Sequence, residues 1–187
     1  MTFWTDTATF EPKRRHTFLF SIAGKTQSIE NYLIKKVTRP SFEVSKSEHK
    51  FLNHTFYFPG RVKWKEVKFT IVDAIDPNGA KKFLQMLEES GYRAPEGPVE
   101  AGLPTAQTVS KKRSLEALGQ PIIRQINHDG ETIEEWVLRG AWVQDADFQE
   151  LNNDEEDLMA IDVTLAYDYA YINVIKPDAA RIPSNAF

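Results

Sequence analysis

The hydrophobic positions of this chain fall mostly at every second residue, a period that marks strands with one face in a core. The clearest case is Ile161-Asp-Val-Thr-Leu-Ala-Tyr-Asp-Tyr169, where Ile161, Val163, Leu165, Tyr167 and Tyr169 alternate with Asp162, Thr164, Ala166 and Asp168. One face of this strand is predicted to be buried, the other to meet water or another subunit. Phe18, Phe20 and Ile22 repeat the pattern in a strand that turns at Ala23-Gly-Lys25. A return strand from Ile29 to Val37 is stopped by Arg39-Pro40. Phe42 and Val44 open another short strand, and Ser45 to Lys50 reads as a polar, charged tip. Phe56 and Phe58 belong to the returning strand, closed by the turn pair Pro59-Gly60. Val62 and Trp64 share one parity, whereas Val67, Phe69 and Ile71 share the other. That slip near Lys65-Glu66 predicts a bulge, which would bend the strand as barrel closure requires.

The period then lengthens to that of a helix. Asp76 suits the N-cap and Pro77 the first helical position, with Ala80, Phe83, Leu84 and Leu87 as the apolar stripe and Gly91 as the stop. Ala94 to Thr108 holds three prolines and two glycines and reads as a long loop. A short helix is predicted over Ser110 to Leu118. A hairpin follows: Ile122, Arg124 and Ile126 lead through Asn127-His-Asp-Gly130 to a strand from Ile133 to Trp142. Val143 to Leu158 carries seven carboxylates and no lysine or arginine. The organisation is thus an N-terminal arm (1–15) ending in Lys13-Arg-Arg15, one domain (16–172) and a C-terminal extension (173–187).

Composition narrows the function classes. A chain of 187 residues suits one domain that buries roughly two-thirds of its unfolded surface. The net charge of −4 argues against a dedicated nucleic-acid binder. The absence of cysteine excludes disulfides and thiolate zinc sites. With no secretory h-region and no apolar run of roughly 18 residues, the expectation is a cytosolic chain without a membrane anchor.

No catalytic constellation stands out. Gly24-Lys-Thr26 lacks the glycine five positions earlier that a phosphate loop needs, since that position is Leu19. His16, His49, His54 and His128 are dispersed, and Asp154-Glu-Glu-Asp157 lacks the alternating ligands and central glycine of a calcium loop. The aromatic residues fall mostly at core parity, so packing accounts for them first. Lys63, Lys65 and Lys68 near Trp64 read as a solvated strand face. No cofactor, metal or enzymatic activity is expected.

Several stretches, in order and spacing, resemble the tail tube protein family of contractile-tailed, T4-like bacteriophages. They are Val37-Thr-Arg-Pro-Ser-Phe42, Tyr57-Phe-Pro-Gly60, Trp64 leading to Val72-Asp73, Gly91-Tyr92, Arg139-Gly-Ala-Trp142 and Thr164-Leu-Ala-Tyr-Asp-Tyr169. The likeness spans about residues 15–172. It implies a mainly β fold, an antiparallel barrel or sandwich with one flanking helix. It also implies six-membered rings that stack into a hollow tube inside a sheath and pass DNA without sequence-specific binding. The implied partners are further copies of the chain, the tail sheath protein, and the baseplate and tail terminator proteins. The implied location is the virion tail, assembled in host cytoplasm. By the same resemblance the hairpin from about Asn31 to Phe58 reaches the adjacent ring. Lys46, Glu48, Lys50 and Phe51 would lie at the inter-ring contact, and Glu43, Asp162 and Asp168 would face the channel. Other readings are a baseplate, tube-initiating or type VI secretion tube homologue of the same fold, a monomeric ligand-binding β-barrel and, more remotely, a carboxylate hydrolase.

Overall fold

The computed structural model of the protein describes residues 12–23, 33–92, 108–154 and 156–175. In chain order its elements are β1 (Phe18–Ala23), β2 (Ile34–Val37), β3 (Ser41–Phe51), β4 (His54–Lys65), β5 (Val67–Val72), α1 (Gly79–Glu89), α2 (Lys111–Leu118), β6 (Gln120–Ile126), β7 (Thr132–Arg139), β8 (Trp142–Asp147), β9 (Ala160–Ala166) and β10 (Tyr169–Val174). They form a four-stranded sheet A in the order β1-β6-β7-β10, a four-stranded sheet B in the order β2-β5-β9-β8, and a separate ribbon of β3 and β4. Every pairing is antiparallel. The fold is mainly antiparallel β, as expected, and takes the sandwich form, with two helices where the resemblance implied one flanking helix.

The core lies between the two sheets. Phe20 and Ile22 of β1, Ile123 of β6, Leu138 of β7 and Ala170 of β10 meet Val67, Phe69 and Ile71 of β5 and Ile161, Val163 and Leu165 of β9. Phe20 and Phe69 join the layers edge to face, 4.9 Å between ring centroids. Asp162 stays exposed between Ile161 and Val163, as period-two alternation demands.

The last strand ends sooner than predicted. β9 stops at Ala166, the chain turns at Tyr167-Asp168, and Tyr169 opens β10 on sheet A, where it is exposed. The strand predicted from Ile133 to Trp142 is likewise divided. Gly140 adopts φ +66°, so β7 ends on sheet A and β8 begins on sheet B. Both breaks move the chain between layers, which a one-dimensional hydrophobic pattern does not record. β10 continues to Val174, and the Ile175 amide bonds the Ile133 carbonyl, so ordered pairing runs past the expected boundary at 172. The rest of the extension, residues 176–187, and the arm before residue 12 lie outside the described residues, as do Gly24-Lys-Thr26 and the predicted strand before Leu33.

The helix N-cap is Asn78, not Asp76: its Oδ1 accepts the Lys81 amide at 2.7 Å, while Asp73 Oδ1 accepts the Gly79 amide at 2.9 Å. Phe83 and Met86 form the buried stripe, leaving Leu84 and Leu87 exposed. The predicted stop holds, with Gly91 at φ +111°. The predicted bulge at Lys65-Glu66 is instead the boundary between β4 and β5.

Leu165 is fully buried, so Leu165→Asp should cost more than about 4 kcal/mol and abolish cooperative melting. Asp168→Asn removes only the half-exposed pair with Lys111 and should shift stability by less than about 0.5 kcal/mol in denaturant titrations. A Cβ on Gly140 would lie 2.2 Å from Asp168 Oδ2. Gly140→Ala is therefore expected to cost about 1–3 kcal/mol by the same titration, with Asp168→Ala recovering the steric share.

Candidate assembly surfaces

The β3–β4 ribbon pairs with neither sheet, and all eleven residues of β3 are exposed. The register runs from Ser41↔Lys65 and Phe42↔Trp64 to Val44↔Val62, shifts, and resumes from Lys46↔Pro59 to Phe51↔His54. At the shift Gly60 and Arg61 together oppose Ser45, a bulge in β4. Ser45 Oγ accepts the Arg61 amide at 2.9 Å, and a Cβ on Gly60 would sit 2.3 Å from that same Oγ. Pro59-Gly60 therefore runs into the mid-ribbon bulge at Gly60-Arg61 and is not the predicted closing turn. The tip lies at Phe51-Leu52-Asn53-His54, beyond the predicted Ser45–Lys50.

The extra residue changes which face is apolar. Residues directly opposite share a face, and so do alternate residues of β3. On the near half, Phe42, Val44, Val62 and Trp64 occupy one face, with Glu43, Lys63 and Lys65 on the other. Beyond the bulge the face of Phe42 and Val44 continues as Lys46, Glu48 and Lys50 with Tyr57 and Thr55. The opposite face now carries His49, Phe51, Phe56 and Phe58. The near half is anchored through Trp64, whose ring lies 5.6 Å from Phe42 and 6.0 Å from Tyr167. The outer ribbon is more exposed: Tyr57 is 60% exposed and Phe58 55%, and the apolar Leu52 at the tip is 89% exposed. Packing thus does not account for these aromatics, contrary to the sequence expectation. Three consecutive aromatics, Phe56-Tyr57-Phe58, were the available signal, since no strand turns three neighbours toward one core.

Of the four residues expected at the inter-ring contact, Lys46, Glu48 and Lys50 line one face of the outer ribbon and Phe51 stands at its tip. Lys46 Nζ lies 3.3 Å from Glu48 and 4.6 Å from the Tyr57 ring centroid. The three expected lumen carboxylates occupy three different places. Asp162 lies on the open face of sheet B, in the register row Lys36–Thr70–Asp162–Asp147. It accepts Thr70 Oγ1 at 2.5 Å and Gln149 Nε2 at 2.8 Å. These bonds, Thr70 first, hold its carboxyl below the usual range, helped by the charges of Lys36 and Lys35. Glu43 sits on the ribbon, 3.5 Å from Lys65. Asp168 sits in the β9–β10 turn and accepts Lys111 Nζ at 2.7 Å.

Sequence reading missed a basic cleft of about 420 Å³ at the β1–β2 side of the sandwich, lined by Lys13, Arg14, Arg15, Lys35, Lys36 and Arg39. At its floor the buried Glu134 accepts Lys13 Nζ and Trp136 Nε1, and lies 3.5 Å from Arg39. Burial alone would raise the Glu134 pKa, but the hydrogen bonds from Lys13 and Trp136 and the charges of Lys13 and Arg39 outweigh it and lower the value. Glu134 thereby ties the root of the N-terminal arm and the root of the ribbon to sheet A. Among the described residues no group of three or more His, Asp or Glu could hold a metal ion.

Because the Glu134 pKa is lowered on folding, its stabilisation is present above the unfolded value of 4.5 and is lost as pH falls through the lower folded value. Glu134→Gln should cost about 1–3 kcal/mol at pH 7. It should also flatten the fall in melting temperature below pH 5, as read by melts from pH 7 to 2; an unchanged acid limb would refute the assignment.

No protein-family model matches the chain, and no curated protein matches it. Solved structures do share its fold. A chain of the anti-feeding prophage baseplate (6-fold symmetrised) superposes with TM-score 0.62 at 12% identity, covering 90% of this chain and 99% of that one. A chain of the sheath/tube terminator of the PVC extracellular contractile injection system gives 0.63 at 14%, covering 89% and 100%. A chain of the anti-feeding prophage tube terminating cap gives 0.63 at 13%, covering 94% and 100%. The described architecture is therefore the fold of these contractile injection system chains, in keeping with the tail tube resemblance of the sequence.

Proposed function

We propose that this chain is a non-enzymatic structural subunit that closes into rings, the rings stacking into or terminating the hollow tube of a contractile particle. The observation that carries this reading is the ribbon: about two dozen residues held in register, with aromatic side chains in water on both faces. An isolated two-stranded ribbon is marginal in water, and exposed apolar surface of this extent marks a protein contact. A ribbon that crosses to the next ring gains that cover, with its near and outer halves offering apolar surface to opposite sides.

Sheet B is suited to the channel wall, since its inner face packs the core and its open face is polar. The 6-fold symmetry of the baseplate structure supports six copies. Six four-stranded sheets would place about 24 strands around the axis, giving a backbone wall about 44–53 Å across at ordinary strand spacing and tilt. Asp162 would face that channel, keeping a negative charge where passing DNA phosphates need no binding partner. Glu43 and Asp168 fall outside that row. Sheath, baseplate and terminator proteins are the partners this role requires, and a virion or virion-like tail is its location. The likeness to cap, terminator and baseplate chains also supports a second reading, in which the same ring sits at one end of the tube.

Purified protein should form rings or tubes under negative-stain microscopy. Phe51→Asp with Leu52→Asp should change stability by less than about 0.5 kcal/mol, because both side chains are already in solvent. The same variant should leave single rings that do not stack. Stacked tubes of normal length from it would remove the tip from the contact, and a protein that stays monomeric at every concentration would overturn the reading.

A further inference from the structure

We infer that the Glu134 carboxylate is a latch shared by the N-terminal arm and the ribbon: drawing Lys13 away lets Arg39 close on Glu134 and stiffens the root of the ribbon. The latch itself needs only this chain. Its use, a ribbon that firms once the arm is engaged elsewhere, rests on the reading of the chain as a stacking subunit.

The two cations reach the carboxylate from different parts of the chain and take different oxygens. Lys13 Nζ donates to Oε2, while Arg39 Nη1 lies 3.5 Å from Oε1. Trp136 Nε1 donates to that same Oε1 at 2.5 Å. A guanidinium matches a carboxylate best as a fork, with one N–H to each oxygen. Arg39 has only a long contact to one oxygen, because Lys13 occupies the other. Its side chain is 60% exposed, so it has room to reorient, whereas that of Glu134 is 5% exposed. Arg39 is poised to close, and Lys13 holds it open.

The surroundings give the coupling its sign. Lys13, Arg14, Arg15, Lys35, Lys36 and Arg39 line this cleft, and Glu134 is the only carboxylate among its described lining residues. Six cations around one anion repel each other, so each weakens the hold of the others on Glu134. Two ties that merely support one structure loosen together when either is lost. Two cations competing for one buried carboxylate behave oppositely. Removing Lys13 relieves repulsion and frees an acceptor oxygen, and the desolvated charge that remains draws Arg39 in.

What each cation tethers makes the exchange a conformational one. Lys13 is the outermost tie of the arm among the described residues. Next inward, Gln125 Nε2 donates to the Arg14 carbonyl at 2.8 Å and to the Thr17 carbonyl at 2.6 Å. Loss of the Lys13 bond therefore frees Lys13 while the chain from Arg14 onward stays docked. Arg39 stands between β2 and β3. Before it the Thr38 amide donates to the Lys68 carbonyl at 2.8 Å, and after it Ser41 opens β3 opposite Lys65. Closing Arg39 onto sheet A fixes the joint between sheet B and the ribbon.

Hydrogen exchange of the full chain, followed by mass spectrometry, reads the sign of the coupling. Lys13→Met removes the charge and keeps the stem, and it should fold, since Lys13 is half exposed. It should slow amide exchange in peptides covering residues 38–46 and 61–66 by at least about threefold, although it deletes a native bond. Lys13→Gln, which keeps a donor without the charge, should give the same slowing. In a Glu134→Gln background neither change should alter these rates, because no charge remains to compete for. Denaturant titration gives a second reading. Lys13→Met/Arg39→Met should raise the unfolding constant at least about fivefold beyond the product of the two single effects, since each cation compensates for loss of the other. Faster or unchanged exchange at the ribbon root in both Lys13 variants, or single effects that simply multiply, would show two independent ties and overturn the latch. All these measurements use the unassembled chain, so their failure leaves the tube reading standing, and a failure to form rings leaves the latch standing.

Discussion

Backbone amides and carbonyls on the edge of a strand need partners, and a sandwich of two four-stranded sheets leaves four such edges. In this chain the requirement is compounded by a ribbon that has no sheet to join. The interior is resolved within one copy: the apolar faces of sheets A and B meet and exclude water. Among the described residues the perimeter is not: the core is complete, while the outer sides of β1, β10, β2 and β8 carry no further strand.

Local chemistry prepares the border. The bulge at Ser45 and Gly60-Arg61 inserts one residue, and because side chains alternate with period two, that residue exchanges the apolar and polar faces of everything beyond it. Glu134 secures the other end of the same device by drawing Lys13 and Arg39 onto one buried carboxylate. Removing its cations would leave the buried Glu134 carboxylate poorly paired, so this one group ties Lys13 and the root of the ribbon to sheet A.

Much of the sandwich was legible in the sequence. The burial of Phe20, Ile22, Ile161, Val163 and Leu165 follows directly from alternation; the Asn127–Gly130 turn follows from its Asp-Gly pair, and the helix expected over Ser110 to Leu118 is α2. The misreadings share a cause. Ser45 to Lys50 looked like a loop because its polarity showed no core-facing rhythm, yet a ribbon solvated on both faces needs none. Ile133 to Trp142, and Ile161 to Tyr169, looked like single strands because the hydrophobic rhythm survives the turn by which the chain changes sheets. Helical spacing predicts Ala80, Phe83, Leu84 and Leu87 as the stripe, but Phe83 and Met86 are the apolar side chains buried, because helix orientation is settled by the neighbouring layer.

By itself, then, the order of side chains determined which short segments are extended and which of their faces are dry, since both follow from the fixed period of the backbone. It also carried the acidic run after Trp142 and the basic run at Lys13–Arg15. Only the folded chain decided that Lys13–Arg15 joins Lys35, Lys36 and Arg39 in one cleft, and that the acidic run lies at the opposite edge of sheet B. Those juxtapositions depend on pairings between segments up to 121 residues apart. The free energy of long-range pairing resides in no single segment of sequence, so the sheet edges and the charges beside them become visible only when the sheets are formed.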